Sequence, residues 1–181
     1  GCDSAEGIRQ AVRYLWSKGH DRIGFLGGEP DSIVTIERKQ AYSDALAELG
    51  LVEDPAAVKY GCFSAKGTKK RILEIAETGV TAVVCISDLL ACTAVKELIR
   101  AGYSVPEDIS VTGYDNLPPS EYSQPPITTL SQNRIHIGKT TFFMLQQMKN
   151  GIHIKSVMLR PELIERESVR EICSRELPKE K

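Results

Sequence analysis

Short apolar runs alternate with longer stretches of helical periodicity along this chain, and no other feature of the sequence constrains its fold as strongly. Residues 22–28 are a brief apolar run closed by Gly27 and Gly28, residues 82–86 are another, and the more mixed residues 57–60 and 110–114 continue the series as strands. Runs that are apolar on successive positions suit strands buried on both faces. Between them, apolar side chains return every three or four residues. Ile8, Val12, Leu15 and Trp16 predict a helix over 5–18, and Ala41, Tyr42, Ala45, Leu46 and Leu49 predict a second over 36–49, stopped by Gly19 and Gly50. Residues 65–78 and 88–100 continue the series. Strands joined through helices of this length imply right-handed βαβ units, hence an α/β fold with a parallel sheet and helices on both faces.

The pattern changes after residue 114. Pro118, Pro119, Pro125 and Pro126 crowd a stretch that reads as a non-helical connector, because proline lacks the N–H a helix interior needs. A strand over 127–130 follows, then an amphipathic helix over 133–150 with Ile135, Phe142, Leu145 and Met148 in its stripe. A β-rich segment over 157–164 and a polar, frayed tail from 174 complete the prediction. At 41% hydrophobic and 26% charged, the 181 residues have the balance of a globular domain, which excludes disordered and fibrous classes. No apolar run approaches the roughly 18 residues of a membrane span. The net charge of −1 gives the chain no electrostatic grip on nucleic acid. Five cysteines without a CxxC pair point to reduced thiols and a cytoplasmic setting. The chain opens at Gly1 without a basic-then-apolar leader and is expected to be part of a longer protein.

In an open parallel sheet, ligands bind beyond the C-terminal ends of the strands, so residues 27–29, 61–64, 87–88 and 115–116 are where chemistry is expected. Asp115 follows a strand and Arg38 lies early in the second helix. Together they can fork onto the hydroxyls of a small polar ligand, one accepting and the other donating in pairs, unless each is simply a surface charge. Phe63 can stack on a ring or belong to the core. No GxGxxG, GxxxxGK[ST] or GxSxG motif occurs, which removes the main support for dinucleotide, nucleotide and hydrolase readings. His20 reads as a helix-end residue, and His136 and His153 stand apart from any acidic pair. No metal site, no cofactor and no nucleophile–base set are expected, so the chain is not predicted to be an enzyme. Cys85 and Cys92 read as small buried apolar residues, and Lys66, Lys69, Lys70 and Arg71 as a solvated helix face.

Three segments then resemble one family. Asp3, Gly7, Ala11 and Leu15 lead to Gly19-His20-Asp21-Arg22-Ile23 and Gly27-Gly28; Glu37-Arg38-Lys39-Gln40-Ala41-Tyr42 is followed by Ala45-Leu46 and Gly50. The most specific begins at Ser87-Asp88 and Ala91, passes Gly102 and Val105-Pro106-Glu107-Asp108-Ile109-Ser110-Val111, and reaches Gly113-Tyr114-Asp115-Asn116, Pro126, Thr128-Thr129 and Gln132. A weaker echo lies at Leu163-Ile164-Glu165-Arg166-Glu167-Ser168. In this order and spacing the chain resembles the LacI/GalR family of bacterial transcription regulators, in the C-terminal part of the effector-binding core.

The resemblance implies a periplasmic-binding-protein-like core of two flavodoxin-like lobes joined by three crossovers. Residues 1–130 would form the second lobe, 131–156 a returning helix that belongs to the first, 157–173 a closing β segment and 174–181 the tail. It implies a small-molecule effector, a sugar first among candidates, contacted by Arg38, Phe63, Ser87, Asp88, Asp115 and Gln132; Ser87 stands where some sugar-binding members carry Asn. Operator DNA would be bound only through an upstream helix-turn-helix domain, and a homodimer would form through residues 90–93 and 116–120. The alternative is a periplasmic sugar-binding protein that serves a transporter. With most of the first lobe outside these residues, the 133–150 helix is expected to pack on a second copy or to fold back onto its own lobe.

Overall fold

The computed structural model describes residues 1–61 and 65–175. Its centre is a six-stranded sheet in the order β2-β1-β3-β4-β5-β6. β1 (Ile23–Leu26), β2 (Val58–Lys59), β3 (Ala82–Cys85), β4 (Ser110–Tyr114) and β5 (Thr128–Ser131) are parallel, and β6 (Glu162–Ile164) runs antiparallel to β5. Every residue of β1, β3 and β4 is buried, as a strand covered on both faces must be.

Four helices supply the cover. α1 (Ser4–Ser17) packs with α2 (Ile33–Glu48), and α3 (Ala65–Ala76) packs with α4 (Asp88–Arg100) on the other side. α1 starts where Asp3 accepts the Glu6 amide (2.9 Å) and turns Ile8, Ala11, Val12 and Leu15 fully into the core. Burying each large aliphatic there contributes roughly 1.5–3 kcal/mol. α4 starts where Ser87 accepts the Leu90 amide (3.3 Å). The exposed lysines of α3 lie beside carboxylates, Lys69 near Glu97 and Lys70 near Glu74, so that face is solvated as expected.

Two expectations need correction, and His20, a helix-end residue as expected with its amide closing on the Leu15 carbonyl, does more than end the helix. The proline-rich stretch contains a short helix, α5 (Pro118–Tyr122), because both prolines occupy its first positions, where no intrahelical N–H is required. His20 is fully buried: its Nε2 donates to the Arg170 carbonyl (3.1 Å) and its Nδ1 accepts from the Thr81 hydroxyl (2.9 Å). It therefore ties the entry to β1 to the chain's last segment. α6 (Arg134–Lys149), capped by Asn133, buries none of its residues and does not fold back onto the lobe. Ile135, Phe142, Leu145 and Met148 are 75, 64, 59 and 58% exposed.

Of the β-rich segment, only β6 joins the sheet; Leu159 instead pairs with the N-terminal residues, where Asp3 donates to its carbonyl (2.9 Å) and its amide donates to Gly1 (2.9 Å). The tail is tied down at its start: the Arg175 amide donates to the Ser17 carbonyl (2.9 Å), and its guanidinium pairs with Asp21. Residues 176–181 lie outside the described part.

Candidate functional site

The register of the strands sets the site. Leu26 lies opposite Cys85, and Tyr114 opposite Leu130, so the loops after β1, β3, β4 and β5 open on one edge of the sheet. α2 starts at the same edge, one short loop after β1, and brings Arg38 over it.

Arg38 is only 6% exposed. One Nη donates to the Ile86 carbonyl at the end of β3, and the guanidinium lies 3.7 Å from the ring centroid of Tyr114. Among the described residues it has no ion-pair partner, and its Nε makes no hydrogen bond. Burial pulls its pKa below the ordinary arginine value, against the opposing pull of Tyr114 and Asp115. Tyr114 reaches this position because Gly7 on α1 has no side chain; a Cβ there would lie 2.5 Å from the tyrosine hydroxyl.

Asp115 leaves the end of β4 with φ of 108°, and Asn116 follows at 49°, both in the left-handed region that non-glycine residues seldom adopt. Such conformations cost about 1–3 kcal/mol each and persist where the surroundings override them. Gln132 Nε2, just beyond β5, donates to Asp115 Oδ1 (2.5 Å). Burial pushes the Asp115 carboxyl above its usual range, while the Gln132 hydrogen bond, Arg38 and Arg134 pull it back. The structure therefore brings Arg38, Asp115 and Gln132 to one place: a buried cation, a half-buried carboxylate and an amide that leaves one carboxylate oxygen without a hydrogen bond among the described residues. This set presents donors and acceptors side by side, suited to a polar ligand with neighbouring hydroxyl or carbonyl oxygens.

The other expected contacts fare differently. Ser87 lies at this edge, but its hydroxyl oxygen caps α4. Asp88 is corrected: it is 0% exposed, and its two carboxylate oxygens accept from the Thr129 hydroxyl and the Leu117 amide, both at 2.6 Å. As the first residue of α4 it points into the lobe beneath the site and not into the cleft. Phe63 lies outside the described residues. Sequence reasoning missed Tyr114, although a tyrosine immediately before the strand-end aspartate was the available signal.

Next to this edge a depression of about 380 Å³ is lined by Pro30, Val58, Lys59, Tyr60, Gly61 and Arg71. A larger groove of about 550 Å³ lies between the start of the chain, α1 and α2, with Arg9, Glu37, Asp44 and Met158 in its walls. Arg9 and Asp44 face each other across it at 3.4 Å, and Asp3 and Glu37 add two further carboxylates to its lining.

Residues 12–169 match the family described as the periplasmic binding protein-like domain. The transcriptional repressor PurR of Vibrio atlanticus is 36% identical over 173 residues, which are 93% of this chain and 52% of PurR. The repressor CytR of Escherichia coli is 34% identical over 172 residues, 93% of this chain and 50% of CytR. Among solved structures, a sugar-binding transcriptional regulator of the LacI family from Escherichia coli, complexed with phosphate, superposes with a TM-score of 0.86 at 28% identity. That match covers 94% of this chain and 62% of the regulator. The chain thus spans about half the length of the curated relatives it matches.

Proposed function

The chain belongs to the LacI/GalR family, in the periplasmic binding protein-like domain of its members, and from that premise we propose that it is the effector-sensing lobe of a DNA-binding transcriptional regulator. It binds a small polar effector, a sugar first among the candidates, and performs no catalysis. The observation that carries this reading is the buried Arg38, unpaired by any carboxylate among the described residues, beside the Asp115–Gln132 pair. A ligand with adjacent hydroxyls satisfies both the guanidinium and the remaining carboxylate oxygen. The reading as a regulator rather than a transport protein is supported by the named relatives, which are repressors.

In the intact protein the effector would sit between this lobe and a second one, and α6 would lend its apolar stripe to that second lobe. A DNA-reading part outside these residues would contact the operator. Effector binding can shift it only by the difference in affinity between the open and closed arrangements of the lobes. Operator recognition by two-fold symmetric pairs makes a homodimer the expected assembly, in the cytoplasm. Within residues 90–93 and 116–120, Leu90, Ala91 and Ser120 are buried. The dimer face therefore centres on the exposed Leu89 and Tyr122 around them.

The test is a thermal-shift and calorimetric titration of the full-length protein against mono- and disaccharides and nucleosides. One ligand is expected to raise the melting temperature, and Asp115→Ala to weaken it by about 2 kcal/mol through lost charge-assisted hydrogen bonds. A ligand whose affinity is unaffected by Asp115→Ala and Arg38→Ala would overturn the site.

A further inference from the structure

A buried carboxylate without a cation needs a reason. Asp88 is fully buried, and among the described residues no lysine, arginine or histidine pairs with it. Replacing it with an apolar residue would remove the desolvation penalty, so stability alone does not explain a charge at this position. Its two oxygens diverge onto two separate elements. Oδ1 accepts from Thr129 Oγ1 in β5, and Oδ2 accepts from the amide of Leu117, two residues past Asp115. Thr129 Oγ1 also receives the Asn116 amide, at a longer 3.4 Å. Gly113 makes the arrangement possible, since a Cβ there would collide with Asp88 Oδ1.

These contacts converge on the strained turn. Asp115 and Asn116 hold positive φ only while their neighbours outweigh the strain, and the turn is fastened on three sides. The Asp115 amide donates to the Leu130 carbonyl (2.8 Å), Arg166 Nη2 donates to Asn116 Oδ1 (2.7 Å), and from below Asp88 holds Leu117. Of these anchors only Asp88 is charged and fully enclosed, and helix α4 fixes it at its own first residue, where the helix N-terminus favours a negative charge.

We propose that Asp88 is a positioning residue for the effector site: it holds the 115–117 turn in the left-handed backbone that aims the Asp115 carboxylate beside Arg38 and within reach of Gln132. The effector contact itself rests on the function proposed above, whereas the positioning does not. Asp88 touches no ligand; it acts through Asp115, and the α4 helix passes its own placement on to the site.

The experiment reads the turn directly by NMR and amide hydrogen exchange on the ligand-free chain. In Asp88→Ala, exchange at Leu117 is expected to accelerate at least tenfold more than at Val83 and Val84 in the middle of the sheet. The Gln132 side-chain amide signal is expected to move toward that of a free glutamine as its carboxylate acceptor turns away. In Asp88→Asn the carbonyl oxygen can still take the Leu117 amide, and the new NH2 can donate to Thr129 Oγ1, so both readouts stay near the wild type. Gly113→Ala forces a methyl against Asp88 Oδ1 and is expected to reproduce the Asp88→Ala pattern with the carboxylate still present; it carries the same readouts if Asp88→Ala fails to fold. The proposal is overturned if the Gln132 signal stays put, or if exchange rises equally at Leu117 and in β3, which would leave Asp88 with a stabilising role only. Because no ligand is used, these outcomes are independent of the titration that tests the effector reading.

Discussion

α1 and α6 start alike. Each is capped in its first turn by an Asx side chain, Asp3 on the Glu6 amide and Asn133 on the His136 amide, and each carries apolar residues at helical spacing. Yet α1 hides Ile8, Ala11, Val12 and Leu15 completely, and α6 hides nothing. The difference lies partly within the helices: α1 gathers its apolar side chains on one face, which meets the sheet. α6 is not the one-sided helix expected, since Ile137, Phe143 and Met144 spread its apolar surface around most of the circumference, and no sheet faces it. Amphipathic spacing states which side of a helix seeks cover, and only the rest of the molecule decides whether cover exists.

Truncating the two stripes tests that contrast most severely. Leu15→Ala is expected to lower unfolding stability by about 2–5 kcal/mol, since it leaves a cavity in a packed interior, whereas Phe142→Ala changes it by less than about 0.5 kcal/mol. Urea denaturation of both variants decides. If Phe142→Ala proves as damaging as Leu15→Ala, α6 is covered in solution and the contrast fails.

The caps give a smaller version of the same comparison. Asp3→Ala is expected to cost about 1 kcal/mol of global stability because α1 unfolds with the core. Asn133→Ala would instead fray α6 locally, lowering helicity by circular dichroism while leaving the denaturation midpoint in place.

The smallest effect concerns pH and belongs to the sheet side alone. Burial lowers the pKa of His20, so the folded protein binds its proton less readily than the unfolded chain. The stability this represents is fully present above the unfolded pKa of about 6.5 and is lost as pH falls from there toward the lower folded value. Asp88 and Asp115, whose pKa values are raised by burial, act in the opposite direction at lower pH. The measurement is therefore a difference: the decline of the urea midpoint between pH 7.5 and 5.5 is expected to be shallower in His20→Gln than in the wild type. Equal slopes would mean that folding leaves the His20 pKa unchanged.

The parts of the molecule legible in the sequence are those where local pattern and tertiary environment agree. Strands enclosed on both faces favour apolar runs, so β1 and β3 stand out, whereas β4, which carries Ser110 and Thr112, is legible from its place in the strand–helix alternation, and α4 starts and stops where its spacing places it. α5 was not legible, because proline reads as a helix breaker although it is well suited to a first turn. The strand-end rule and the family resemblance led to Arg38, Asp115 and Gln132. Neither reveals which way a side chain turns, so the strand-end rule places Asp88 in the cleft, whereas its side chain turns beneath it. The burial of Arg38 on Tyr114 also depends on an absent side chain at Gly7, a hundred residues away, and no local window contains both.

The last described residues fasten the first helix: the Ile172 amide donates to the Lys18 carbonyl (2.7 Å), Arg175 pairs with Asp21, and the Arg175 guanidinium lies 5.5 Å from the ring of Trp16. A ribosome releases α1 long before residues 172–175, so the helix must wait, unlatched, until they too emerge. Contacts between segments so distant in sequence are also slow to find by diffusion, because they close a long loop. The only tryptophan in the sequence sits at that latch, and its fluorescence would time the final step of folding.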